Sequence, residues 1–176
     1  MKKVIVLSLA AVFGLVVLSC GPSSEKARKD YKKYQEETWE VMSKAQKHYW
    51  DTVAWLNKWE EAKKDEYKKD MGKKTEEFKE FADKMDKVKA GNKDLEKIRN
   101  NDVNLLKVVR DIYKEYRTQV TDGKKPHENK AIKDLVVDLK DRIKKATDLR
   151  NDYYKKYKPS KGGKTKYKKG KKRKKK

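Results

Sequence analysis

The side chains that most often perform acid–base or metal chemistry are scarce in this 176-residue sequence. His48 and His127 are the only histidines, and histidine is the one side chain whose ordinary pKa lies near neutral pH. Neither belongs to a Glu-x-x-His or His-Glu-x-x-His pattern, which helical metal sites use. The sequence also lacks a glycine-rich phosphate loop and a Gly-x-Ser-x-Gly motif. We therefore expect no catalytic residues, no metal and no cofactor, and we expect that the protein is not an enzyme.

The only cysteine, Cys20, lies at the end of an apolar run. A basic start, MKK, precedes residues 4–18, which are apolar apart from one serine and one glycine. A short basic segment followed by an apolar segment of this length is typical of a secretory signal peptide. Fifteen helical residues cover about 22 Å, less than the roughly 30 Å hydrocarbon core of a bilayer. The sequence therefore predicts that residues 1–19 form a signal peptide.

The residues before this cysteine, "VLS", resemble the lipobox of bacterial lipoproteins. In that family the cysteine becomes the first residue of the mature chain and carries acyl chains, so the resemblance implies that Cys20 is lipidated. Several acyl chains hold a protein stably on a membrane, whereas one chain does not. Residues 20–24 would then be the lipidated cysteine and a tether. Gly21 lacks the acidic retention signal of some lipoproteins, which favours the outer membrane and the cell surface over the periplasm.

Positive charge is concentrated at the C-terminus of a chain whose formal net charge is +22. Residues 158–176, "KPSKGGKTKYKKGKKRKKK", hold 12 of the 50 Lys and Arg residues and no acid. We expect this lysine-rich tail to be disordered, because its like charges repel one another and it contains a Gly-Gly pair. Clustered cations bind anionic polymers by releasing counterions. The predicted polyanion-binding residues are Lys155, Lys156, Lys158, Lys161, Lys164, Lys166, Lys168, Lys169, Lys171, Lys172, Arg173, Lys174, Lys175 and Lys176.

The identity of the anionic polymer depends on where the protein is exported. Nucleic acid is not expected, because an exported chain rarely meets it and no base-stacking module is present. The lipobox, the helical body and the terminal "KKRKKK" together resemble the spirochaetal helical lipoprotein adhesins, including the decorin-binding proteins. That resemblance implies an outer-membrane protein, adhesin-like, that binds host glycosaminoglycans through its basic tail.

The alternative is a periplasmic structural lipoprotein that contacts the cell wall or the facing membrane. This reading resembles the small murein lipoproteins, which are joined to the wall through a C-terminal lysine, and Lys176 is terminal here. Because acyl chains already suffice for anchoring, attraction of the tail to its own leaflet would be redundant. In both readings we expect the helical body to act as a spacer that points the tail away from the anchoring membrane.

Apolar residues recur at helical spacing from residue 25 to residue 157, and no strand pattern competes. The sequence predicts an all-α fold, an elongated bundle of three or four helices with a disordered basic tail. The first helix is predicted over residues 25–70, with a polar stretch near residues 60–65 where it can break. The others are a helix from Gly72, with Thr75 as N-cap, closed by residues 90–92; a helix from Leu95 to Thr121; and a helix from Ile132 to Tyr157.

Four tryptophans lie within 21 residues of the predicted first helix. Trp39 and Trp50 fall on one flank of its apolar stripe, and Trp55 and Trp59 fall on the other flank. Large aromatic side chains on both flanks are typical of a helix that contacts two neighbours. We therefore expect these side chains to belong mainly to the core, with an exposed flank left open as the alternative.

Overall fold

The computed structural model describes residues 25–56, 63–122 and 129–157, with side chains from residue 25 to 50 in the first range. Four helices make up these ranges: α1 (Glu25–Leu56), α2 (Lys64–Asp86), α3 (Lys93–Thr121) and α4 (Lys130–Lys156). The described ranges contain no strand, so the predicted all-α bundle is confirmed, with four helices. The predicted signal peptide, Cys20, the predicted tether, His127, Trp59 and the tail lie outside the described residues, as does the side chain of Trp55.

The helices run alternately up and down, and α3 packs against both α2 and α4. Phe78 of α2 contacts Tyr113 of α3 with ring centroids 5.3 Å apart. The Asn101 Nδ2 group of α3 donates to the Arg142 carbonyl of α4 at 3.1 Å. The core that these contacts enclose is mainly aliphatic and aromatic. Its largest fully buried side chains are Tyr67, Met71, Phe78, Met85, Leu95, Ile98, Leu105, Leu106, Val109, Ile132 and Leu139.

The predicted boundary between the first two helices is wrong. Gly72 does not begin a helix but lies inside α2, which starts at Lys64. Thr75 is not an N-cap, since its Oγ1 donates to the Met71 carbonyl one turn earlier at 2.7 Å. A glycine inside a helix costs about 1 kcal/mol relative to alanine, which burial of neighbouring side chains offsets. Two of these buried neighbours are Tyr67 and Met71, each 1% exposed. Both belong to α2, although the sequence predicts them as part of the first helix.

Two asparagine caps set the starts of the last two helices. Asn92 accepts from the Leu95 amide at 3.0 Å, and Asn129 accepts from the Ile132 amide at 3.2 Å. Asparagine is among the best N-cap residues because its side-chain oxygen satisfies an otherwise unpaired amide. Asn92 was expected to close the helix before it; that helix ends earlier, at Asp86, and Asn92 opens the next one. The predicted ends of α3 and α4 are confirmed to within one residue.

The loop between α2 and α3 lies against the start of α1. A Cβ atom on Gly91 would overlap the carboxylate of Asp30, so only glycine allows this close approach. Because α1 and α2 are antiparallel, this loop and the first turn of α1 lie at the same end of the bundle. Among the helices that the structure describes, none is both long enough and apolar enough to cross a bilayer.

Candidate functional site

The first turns of α1 are joined directly to the last turns of α4. The Tyr153 hydroxyl of α4 donates to the Ala27 carbonyl of α1 at 2.6 Å. The Tyr31 ring of α1 stacks on the Tyr153 ring at 5.1 Å and meets the Tyr154 ring edge-on at 5.3 Å. These contacts hold the beginning and the end of the helical body side by side.

The start of α3 completes the same junction. The Asn92 Nδ2 group donates to the Tyr153 hydroxyl at 3.0 Å, while the Asn92 Oδ1 atom caps α3. The Tyr157 hydroxyl donates to the Asp94 Oδ2 atom at 3.0 Å. Tyr153 and Tyr157 are also in contact, with ring centroids 4.5 Å apart. Three helices and the α2–α3 loop therefore meet at one end of the bundle, which we call the terminal face.

Lys155 and Lys156, the two described members of the predicted polyanion site, lie on this face in the last turn of α4. Both are exposed, but each has an acidic neighbour. The Lys155 Nζ atom is 3.9 Å from Asp152 Oδ1, and the Lys156 Nζ atom is 2.5 Å from Asp94 Oδ2. The hydrogen bond from Lys156 lowers the pKa of Asp94, and the same bond raises the pKa of Lys156. The charges of these two lysines are therefore partly balanced within the body.

Further lysines reach the terminal face from other segments. All seven of its lysines are exposed: Lys26, Lys29, Lys87, Lys89, Lys93, Lys155 and Lys156. Lys29 pairs with Glu25 at 2.7 Å, one helical turn away. Among the described residues, the other four have no acidic partner within 4 Å. These four are Lys26, Lys87, Lys89 and Lys93. The sequence analysis missed these lysines because they come from two segments about 60 residues apart. Only the antiparallel packing of the helices brings the two segments to the same end of the bundle as residues 155–157.

Covalent geometry fixes where the flanking segments begin. Residue 158 follows Tyr157 by one peptide bond, about 3.8 Å between Cα atoms, so the tail begins at the terminal face. Cys20 precedes Glu25 by five residues, which span at most about 18 Å. The expected spacer, a body that separates the tail from the predicted anchor, is therefore wrong for the start of the tail. The body places Glu25 and Tyr157 at the same end because its number of antiparallel helices is even.

A buried ionic cluster lies one layer inside the terminal face. Asp102 of α3 is 1% exposed and accepts from the Tyr34 hydroxyl at 2.7 Å. It also accepts from the Arg150 Nη2 group of α4, at 2.7 Å to Oδ2 and 3.0 Å to Oδ1. Burial and the Asp102 carboxylate raise the pKa of Tyr34 well above its usual value, so its hydroxyl stays protonated and donating. The cluster joins α1, α3 and α4 and fixes their relative positions close to the terminal face.

The sequence carried a signal for this cluster. Asp102 stands four residues after Ile98 and four before Leu106, on the apolar stripe of α3. A carboxylate at such a position must be paired when the helix packs, because an isolated buried charge is very costly. Arg150 occupies the corresponding position on α4, four residues after Ala146.

His48, the one histidine among the described residues, is held at the seam between α1 and α2. Its Nδ1 atom lies 3.1 Å from the Glu77 Oε2 atom and also contacts the Lys74 ammonium. Lys74 in turn donates to Glu77 at 3.0 Å. The His48 ring packs against the Phe81 ring at 5.9 Å. This arrangement links two helices across the surface of the bundle.

The two described tryptophans differ in exposure, although the helical wheel placed them on one flank. Trp50 packs against the core and meets the Tyr49 ring edge-on at 5.7 Å. Trp39 is 64% exposed, so the expectation of a core position is wrong for this side chain.

Comparison of the chain with protein-family models, with curated proteins and with solved structures found no match. Within the described ranges, no group of three or more His, Cys, Asp or Glu side chains is placed to hold a metal ion. What the geometry offers is a terminal face with four exposed lysines that have no acidic partner among the described residues, and the lysine-rich sequence begins directly after it, at residue 158. Such a surface can bind anionic groups by charge.

Proposed function

We propose that this protein is a lipid-anchored bacterial lipoprotein of the outer membrane that binds anionic polymers, such as sulfated host glycans, with its basic tail and terminal face. The polymers would be held close to the membrane that anchors the protein. Cys20 supplies the acyl anchor, and residues 158–176 supply most of the binding charge. The helical body fixes the position of the two segments relative to each other.

One observation carries the proposal: the chain begins and ends its helical body at the same end. The hydrogen bond between Tyr153 and Ala27 fixes this geometry. Twelve cationic side chains of the tail therefore start next to Lys26, Lys87, Lys89 and Lys93, which have no acidic partner among the described residues. Charges of one sign that are brought together attract a polyanion more strongly than the same charges dispersed, because each neutralised anionic group releases counterions.

The same geometry works against contact with a facing membrane. A tail of 19 residues reaches at most about 65 Å when it is fully extended. About 43 Å of that reach would be used in passing alongside a body as long as the 29-residue α3. A ligand near the anchoring membrane requires no such extension.

Protease treatment of intact cells tests the location. Trypsin cleaves after lysine, so an exposed tail is removed within minutes and an antibody against the helical body detects a shortened band. We expect this shortening while a periplasmic control protein stays intact. Full protection of the tail until the envelope is broken would contradict the surface location and direct attention to the cell wall.

The anchor needs its own control in the same cells. We expect Cys20→Ala to leave the membrane fraction, because the acyl chains provide the stable attachment. A Cys20→Ala protein that partitions into the membrane like the wild type would contradict lipid anchoring while leaving the charge argument intact.

A further inference from the structure

A second basic feature lies outside the terminal face, in the groove between α3 and α4. This open groove has a volume of about 280 Å³, close to the roughly 300 Å³ at which small-molecule sites begin. Six of the seven residues that line it have polar side chains, and none of them is acidic. The lining residues are Lys97, Asn100, Asn101 and Asn104 from α3, and Arg142, Lys145 and Leu149 from α4.

Three asparagines form the α3 side of the groove. Asn101 is 4% exposed, and its Nδ2 group is used in the hydrogen bond to the Arg142 carbonyl. That bond fixes the orientation of the amide. The Asn101 Oδ1 atom is then buried without a hydrogen-bond partner among the described residues. A buried acceptor without a donor is unfavourable, so it marks a place where a donor can be gained.

The cationic side chains around this acceptor have donors available. Arg142 uses its Nε group toward Asp138 at 3.0 Å, and a guanidinium has four further N–H donors. Lys145 has no acidic partner within 4 Å among the described residues. Lys97 lies 3.5 Å from Asp94 at the edge that borders the terminal face. Leu149 adds a partly buried apolar surface that packs against the core.

We propose that this groove binds one anionic sugar unit, a hydroxylated ring that carries a carboxylate or a sulfate. Its anionic group lies between Arg142 and Lys145, a ring hydroxyl donates to Asn101 Oδ1, and the apolar face of the ring covers Leu149. The site deepens the proposed function, because a polymer held at the terminal face continues along α3 past Lys97 into the groove. It adds selectivity for sugars, which a charged tail cannot provide by itself.

The test uses the full-length mature protein with its tail, and D-glucuronate as the probe. Cyclohexanecarboxylate is the matched ligand, because it has the same charge and a six-membered ring but no hydroxyl group. Binding is followed by the side-chain amide resonances of the three groove asparagines in ¹⁵N-correlated NMR spectra. These resonances report on the groove and are insensitive to ions collected by the tail.

We expect glucuronate to shift the Asn101 amide resonances saturably and to bind at least about tenfold more tightly than cyclohexanecarboxylate. Arg142→Gln and Lys145→Gln should each weaken glucuronate binding about tenfold, since each removes a charge-assisted hydrogen bond. Lys144→Gln is the control, because it removes the same charge from an exposed position beside the groove. It should change the affinity less than about twofold.

Equal binding of the two ligands, or no saturable shift with glucuronate, would overturn the groove site. The groove site would also be overturned if Lys144→Gln weakened glucuronate binding as much as Lys145→Gln does. That result would mean that only the overall charge of the protein matters. Heparin retention by the same variants separates this result from the proposed function. If retention persists when groove binding is absent, only the groove proposal has failed; if tail deletion leaves retention unchanged, the proposed role of the tail has failed.

Discussion

Replacing Asp102 by alanine is expected to lower the free energy of unfolding by about 3–5 kcal/mol. The substitution removes the carboxylate that accepts both hydrogen bonds from the Arg150 Nη2 group. The Arg150 side chain is only 16% exposed, so its charge would be left buried without a partner. The substitution also removes the acceptor of the Tyr34 hydroxyl. An uncompensated buried charge is among the most destabilising changes that a single substitution can cause. Urea denaturation followed by circular dichroism at 222 nm measures the effect.

Asp138→Ala provides the matched control for this prediction. Asp138 also pairs with an arginine of α4, Arg142, at 3.0 Å, but its side chain is 43% exposed. Its loss should cost at most about 1 kcal/mol, since solvent replaces an exposed partner. The double substitution Asp102→Leu with Arg150→Leu should recover much of the lost stability, because an apolar pair needs no charge compensation. If Asp102→Ala costs no more than Asp138→Ala, the cluster does not hold the helices together.

Deleting residues 158–176 is expected to weaken binding to heparin at 150 mM NaCl by at least about 100-fold. The deletion removes twelve cationic side chains and no acidic one. The slope of log K against log salt concentration should become correspondingly shallower, because fewer counterions are released. Helicity at 222 nm should stay unchanged, since α4 ends before the deleted segment, at Lys156. Isothermal titration at four salt concentrations measures the affinity and the slope together.

A second variant apportions the binding between the tail and the terminal face. This variant carries glutamine in place of Lys26, Lys87, Lys89 and Lys93. It loses four exposed positive charges, a third of the number that the tail deletion removes, so it should weaken heparin binding by a smaller factor than the deletion does. A tail of the same length built from glycine and serine controls for chain length. If the truncated protein keeps full affinity for heparin, the binding site lies on the helical faces, and the role given to the tail is wrong.

The sequence predicted the parts of the fold that depend on local pattern. The apolar spacing of α3 and α4 located both helices, because amphipathic stripes and the residues beyond their ends are local features. The boundary near Gly72 was not predictable in this way. A glycine inside a helix costs only about 1 kcal/mol relative to alanine, and burial of Tyr67 and Met71 against the core is enough for α2 to continue through it.

The candidate site depends on contacts between distant segments, which no local pattern contains. Tyr153 bonds Ala27 across 126 residues of chain, and Asn92 reaches the same hydroxyl across 61 residues. The expectation of a spacer failed for this reason: it treated the body as a rod with the termini at opposite ends. Asp102 was missed as well, although a carboxylate on an apolar stripe is a local signal that predicts a buried partner.

The central claim is that the two ends of the helical body lie side by side, and the distance between the first turn of α1 and the last turn of α4 tests it most directly. Spin labels at Lys26→Cys and Lys155→Cys, with Cys20 replaced by serine, report this distance by pulsed electron paramagnetic resonance. Labels at Lys26→Cys and Lys130→Cys provide the comparison along the 27-residue α4. We expect about 25 Å or less for the first pair, since the two helices are neighbours. The second pair should be about 40 Å apart, the length of α4. A first distance as long as the second would place the tail away from the anchor and contradict the proposed mode of binding.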